Sequence, residues 1–439
     1  MDAYLLNVVT MLLRWLHVIA AIAWIGESIY FVMLDNGLRP PTDEEGKKKG
    51  VFGEMWAVHG GGFYHNQKFL TNPPKIPDDL HWSFWKSYTT WMSGFALFVF
   101  AYMFESQFTL VNHSANWEWA RNLTGTTANL VALGFLLAGW VIYNSLCKII
   151  SPTMEKDGIL SVAVAIMMIV FSFLAVEIFN SKAAFLLIGA VMATSMSANV
   201  FFWIIPGQRR MVADIKAGRE PNPLDGKRGK QRSVHNTYFT LPVVFLMLST
   251  HFPFLYPSTM DTFTKGLIIV LFIFAGALIR QYFVLMHAGF KKPGYPAAGV
   301  VLLLVAIWLA APAKREAKPV ATKPAAVAST DSTAATPKTD APAITDGTPA
   351  PADTAEASND ALAAVHEVMH ARCIQCHSAS PTMMGVAPLG LIFDTDEEVI
   401  SHAGEIKRAV SSGSMPLGNV TQMTDEEREI IANWSGTAN

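Results

Sequence analysis

Charge is scarce in this chain. Asp, Glu, Lys and Arg make up 15% of its 439 residues, while 51% are hydrophobic; soluble domains carry roughly 25% charged residues. That deficit argues against a single soluble domain and against a disordered chain. The formal net charge of −2 leaves no basic footprint, so nucleic acid is not an expected partner. Three cysteines cannot build a disulfide framework. A basic segment ahead of the first apolar run is also missing, and Arg14 and His17 interrupt that run. It reads as a retained signal anchor rather than a cleaved leader.

What the chain does have is long apolar runs. Eight candidates end near Ala311: Leu5–Leu34, Tyr88–Phe104, Thr126–Cys147, Ile159–Phe179, Ala183–Ile205, Tyr238–Tyr256, Gly266–His287 and Tyr295–Ala311. Crossing the hydrocarbon takes ~20 apolar residues as a helix. The sixth run carries Pro242 and Pro253, and the eighth is short. The intervening segments 35–87, 148–158, 206–237 and 288–294 hold 19 Lys and Arg, whereas 1–4, 105–125, 180–182 and 257–265 hold three. Basic loops stay inside, so the N-terminus is expected on the periplasmic side of a bacterial inner membrane. An even number of spans puts the C-terminal part there too, with lipid around the bundle.

Residues 313–358 change character: 14 Ala, 8 Thr and 6 Pro in 46 residues. Such a segment cannot bury enough surface to offset its ordering entropy and reads as a tether. Residues 359–439 resume an apolar pattern with helix signals. Thr395 with Glu398 and Thr424 with Glu427 are capping boxes for helices near 396–411 and 425–434. The expected architecture is all-α: an eight-helix membrane bundle (1–312), a tether, and a small helical domain.

That small domain contains Cys373-Ile374-Gln375-Cys376-His377, the attachment signature of a c-type haem. Two thiols would form thioethers and His377 would ligate the iron. Met415, in Ser414-Met415-Pro416, is the expected sixth ligand, with Met383, Met384 and His402 as competitors. A redox dithiol would want a βαβ context, and a zinc site a second ligand pair; neither is present in the sequence. The motif, flanking helices and downstream Met-Pro resemble class I cytochromes c.

An electron carrier tethered to a membrane bundle suggests that the bundle oxidises something. Ionisable residues within a span usually face a cavity or the bundle interior. Arg14, His17, Ala21, Trp24 and Ser28 share one face of the first span, and Glu27 lies beside it. Arg280 and His287 share a face of the seventh. Ion pairing between helices is the plain alternative for Arg14 and Glu27. His17 is also a candidate b-type haem ligand, although no histidine in another span clearly matches its depth. His235 and His287 read as solvated near the inner surface, and Asn180 and Asn199 as packing hydrogen bonders. In the long inner loop, Trp56-Ala57-Val58-His59-Gly60-Gly61-Gly62-Phe63-Tyr64-His65 offers backbone close approach plus His and aromatic side chains. It is read either as a ligand loop for a planar anion or as an interfacial turn.

The first-span stretch Arg14–Gly26, the loop motif Glu54–Tyr64, Trp91-Met92-Ser93-Gly94 and the overall plan resemble the bacterial membrane-bound, cytochrome c-linked urate oxidases. The resemblance implies oxidation of urate to 5-hydroxyisourate with oxygen from water. Electrons would leave through haem c to a soluble cytochrome c or terminal oxidase, and no hydrogen peroxide would form. Urate is a planar anion that needs a cation, a stacking face and a base. Arg14 or Arg280 is expected as anion clamp and His17 or His59 as base, with Glu27 and His65 as further candidates. The competing readings are a quinol or other small-molecule dehydrogenase feeding cytochrome c, and a transporter with an electron-carrying tail.

Overall fold

The computed structural model describes residues 3–70, 73, 75–257, 260–311, 353–383, 387–388, 391–411 and 413–435. Most of the tether and Met384 lie outside them. The first half is mostly helical. Helix α1 (Ala3–Gly37) and the short α2 (Glu44–Lys48) precede a hairpin of β1 (Gly53–His59) and β2 (Gly62–Lys68). Then come α3 (Trp85–Phe98), α4 (Ser106–Thr109), α5 (Glu118–Arg121), α6 (Gly125–Ile150), α7 (Asp157–Ile178), α8 (Ser181–Asn199), α9 (Ile205–Lys216), α10 (Pro223–Leu248), α11 (Thr262–His287) and α12 (Gly294–Ala310). The tail supplies α13 (Asp353–Arg372), α14 (Asp396–Ser401), α15 (Ala403–Ser411) and α16 (Asp425–Asn433).

Among the described residues, five helical stretches are long and apolar enough to cross a membrane: Val8–Gly37, Gly125–Ile150, Asp157–Ile178, Ser181–Lys216 and Thr262–His287. Gly294–Ala310 is apolar but shorter. The protein is therefore built as a membrane protein. The core lies among α6, α7, α8, α10 and α11, where Leu160, Phe185, Ile188, Met192, Leu246 and Ile268 are fully enclosed. Close approach is set by small residues. A Cβ on Gly139 would lie 2.5 Å from Val191, and one on Gly276 would lie 2.8 Å from the Pro242 ring. Pro242 sits inside α10, where its missing N–H leaves the Tyr238 carbonyl without a helical partner.

Helix α1 is peripheral. It packs on α3 and, less extensively, on α11. Met11, Trp15, Ile19 and Ile22 remain exposed on it, as suits a face turned to lipid.

The segment between α2 and α3 departs from the helical expectation. Gly53–His59 and Gly62–Lys68 pair antiparallel, with Trp56 opposite His65 and His59 opposite Gly62. Gly60 and Gly61 take φ of 60° and 79°, so two of the three glycines serve a tight hairpin turn that needs left-handed angles at both positions. The tail matches its capping signals: Thr395 and Thr424 each close a capping box with the Glu three residues on. The predicted 396–411 helix divides at His402. Val365, Val368, Met369, Phe393, Ile406 and Ile431 form a core of the tail's own.

Candidate functional site

On α1, His17 turns toward α3. Its Nδ1 lies 2.9 Å from the Thr90 carbonyl and 3.1 Å from the Ser93 hydroxyl. A carbonyl can only accept, so Nδ1 carries the proton and Nε2 keeps its lone pair. The imidazole lies over Gly94, where a Cβ would come within 2.7 Å of the ring. A glycine is thus required for the ring to lie there. The first-span and Trp91–Gly94 motifs, far apart in sequence, meet at this contact.

Glu27, one face over on α1, pairs with Lys86 at 3.0 Å and accepts a hydrogen bond from Ser83. This is the interhelical ion pair foreseen as its plain alternative. Arg14 is accessible, on the same face of α1 as His17, and lies near partly buried Tyr102 and Lys182.

The hairpin forms a second cluster. His65 Nε2 lies 2.8 Å from a Glu54 carboxylate oxygen, and its ring stacks on Trp56 at 4.2 Å and 6°. Glu54 is buried, whereas Trp56, Phe63 and Tyr64 are exposed. His59 sits beside the turn and is exposed.

Arg280, on α11, is 4% exposed, and its Nε has no hydrogen-bond partner. It lies beside Tyr238, whose hydroxyl donates to Gln281. No carboxylate pairs with it among the described residues. A buried guanidinium without a counter-charge is costly, and an anion would complete it.

A further cluster was not foreseen. His235 is buried, contrary to its reading as a solvated surface residue, because the polar face of α10 turns inward onto α6 and α8. Tyr143 Oη lies 2.7 Å from His235 Nδ1 and accepts a hydrogen bond from Asn199 at 2.9 Å. Asn199 also donates to Asn236 at 3.0 Å. Arg232 lies 5.3 Å from the centre of the Tyr143 ring and 5.2 Å from that of Trp203. The spacing of Arg232, His235 and Asn236 was the available signal, since all three lie on one helical face. Asn199 bears out the reading of a packing hydrogen bonder, and Cys147, on α6 like Tyr143, is buried.

In the tail, Cys376 N–H and His377 N–H both donate to the Cys373 carbonyl, at 3.1 and 2.9 Å. One tight turn therefore carries both thiols and the imidazole. His377 Nδ1 donates to the Leu391 carbonyl at 3.1 Å, and the ring stacks on Phe393 at 4.9 Å. Here too Nε2 is left free, the arrangement typical of a histidine that ligates a metal. Both thiols are unpaired. Burial, with Cys376 and Glu427 nearby, pushes the Cys373 thiol up to about 12. The donor set and its tautomer fit a c-type haem. The Met415 segment is pinned by buried Arg428, which donates to the Met415 carbonyl at 2.8 Å and the Val410 carbonyl at 3.0 Å. The competitor His402 is held through Nδ1 at the Glu398 carbonyl.

Compared with known proteins, residues 3–311 match the urate oxidase N-terminal family. The chain belongs to that family. No curated protein and no solved structure matches it. The family segment takes in His17, Gly94, Arg280, the hairpin and the His235 cluster, and ends before the tether.

Proposed function

We propose that the membrane half oxidises urate to 5-hydroxyisourate and that the electrons leave through a c-type haem in the tail. The observation that carries this reading is the family match over residues 3–311 on a chain that also holds a C-x-x-C-H turn. Urate and water give 5-hydroxyisourate, two electrons and two protons. The oxygen comes from water, so hydrogen peroxide is not a product. Cys373, Cys376, His377 and Met415 would hold the haem, which when bound would supply a one-electron acceptor. A soluble cytochrome c or a terminal oxidase takes the electrons onward. In this account the bundle has eight spans in the bacterial inner membrane, both termini are periplasmic, and residues 313–358 tether the cytochrome domain.

Arg280 is the anion clamp. Its buried, unmatched charge favours it over Arg14, which is accessible and has a cation, Lys182, nearby. His17 is the base, with Nε2 free to take a proton and Nδ1 held by Thr90. This placement favours it over His59 at the exposed hairpin turn. Arg280→Ala is expected to abolish urate-driven haem reduction while the haem spectrum stays intact; normal turnover would remove Arg280 from the site.

The same tautomer makes His17 a candidate ligand for a b-type haem. A pyridine haemochrome spectrum decides between the two roles. Haem c alone supports the base, and one b-type haem per chain, lost in His17→Ala, reassigns His17 to iron.

A further inference from the structure

The outer rim of the bundle is a built platform. Val111 bridges Phe179, and Asn180 N–H donates to the Leu110 carbonyl at 2.9 Å. Asn112 Nδ2 donates to the Val176 carbonyl at 3.1 Å. The Glu177 carboxylate accepts from Asn116 Nδ2 at 3.0 Å and from Trp117 N–H at 3.2 Å. These bonds fix the loop after α3 onto the ends of α7 and α8.

The turn Leu417–Asn419 of the tail, kinked at Gly418, sits on this platform, packed against α4. The contact is tightest at Gly418, which has a φ of 61°. A Cβ there would lie 2.5 Å from Asn180 Nδ2 and 3.6 Å from the Phe108 carbonyl. Glycine is required both for the backbone angle and for the approach. Met415 is three residues away in the same segment. The scarcity of Lys and Arg in 105–125 and 180–182 assigns those segments to the outer side, and an eight-span bundle would put the tail there too.

We propose that this seat is the electron-loading dock of the tail. The segment that carries Met415 is held against Phe108 and Asn180 when an electron passes from the bundle. The inference rests on the reading that urate oxidation reduces the c-haem. Loading reduces the ferric iron by one electron, and an oxidised soluble cytochrome or oxidase then removes it. One face cannot meet the platform and that acceptor together, so the tail leaves the dock between the two transfers. The length and composition of residues 313–358 suit such a tether.

The test uses the full chain in three forms: unmodified, Gly418→Ala, and Gly418→Ala with Asn180→Gly. The second substitution removes the obstructing side chain, and glycine is a tolerated helix N-cap. Docking without turnover is read by photo-crosslinking from a benzophenone amino acid in place of Phe108, followed by proteolysis within 313–358. Gly418→Ala is expected to lose the crosslink and to slow urate-driven haem reduction about tenfold, a loss of ~1.4 kcal/mol. The double variant is expected to regain much of both, short of the unmodified protein by the strain that the left-handed angle at 418 puts on alanine. Unchanged rate and crosslink in Gly418→Ala would overturn the dock. So would losses that the double variant fails to restore, since Gly418 would then act only within the tail. If urate fails to reduce the unmodified protein, the urate reading fails, and the crosslink pattern alone still decides the dock.

Discussion

At the scale of single residues, side chains whose surroundings fix how they can act carry the reading. His17 is the clearest. Its Nδ1 is committed to a carbonyl, and its ring occupies space that only a glycine at 94 leaves free. Gly94→Ala is therefore expected to displace the imidazole. Overpacking costs about 1–3 kcal/mol, so the variant should assemble yet lose most urate-driven haem reduction. Full activity in Gly94→Ala would separate His17 from the chemistry. A second prediction concerns Asp225, which receives Arg210 Nε at 3.0 Å and Nη2 at 2.6 Å. These bonds hold its carboxyl below the usual carboxylate range. Its contribution to stability is present above the unfolded-state pKa of about 3.9 and fades as pH falls through the lower folded value. Asp225→Asn should lower the melting temperature at neutral pH, and the gap should close toward acid. A gap that widens in acid would contradict the assignment.

At the scale of elements, periodicity made the helices and the capping boxes legible from the residues alone. Thr395 and Thr424 cap the helices their motifs announced. The hairpin was harder to see. Met55, Trp56, Ala57 and Val58 run without alternation, because the strand pair stands apart from the main core and its apolar side chains are not sorted to one face. The Gly60-Gly61 pair carried the turn signal but equally suited a ligand loop. His235 was misplaced for a related reason: proximity to a basic segment suggested solvent, whereas the inward face of α10 supplied Tyr143 as a partner. His17 and Arg280 were legible as ionisable groups in apolar runs, but Thr90 and Gly94 could not be joined to His17 before α1 and α3 were seen to pack. In the tail, Arg428 fixes the Met415 segment through two carbonyls. Arg428→Leu should weaken the long-wavelength iron–thioether absorption band while leaving the haem covalently attached. An unaltered band would show that the segment holds its position without Arg428.

At the scale of the whole molecule, the account joins a membrane bundle to an outward electron carrier. Its topology predicts that protease added outside intact spheroplasts cuts within 313–358 and releases a haem-stained fragment. Complete protection until the membrane is permeabilised would place the tail inside and remove the dock. The central claim is that urate itself supplies the electrons. The most direct test adds urate anaerobically to the purified, oxidised, detergent-solubilised protein and follows the visible spectrum. The account predicts reduction of the c-haem by urate and not by xanthine or a quinol analogue. Prompt reduction by the quinol with none by urate would contradict it and make the chain a quinol-linked dehydrogenase.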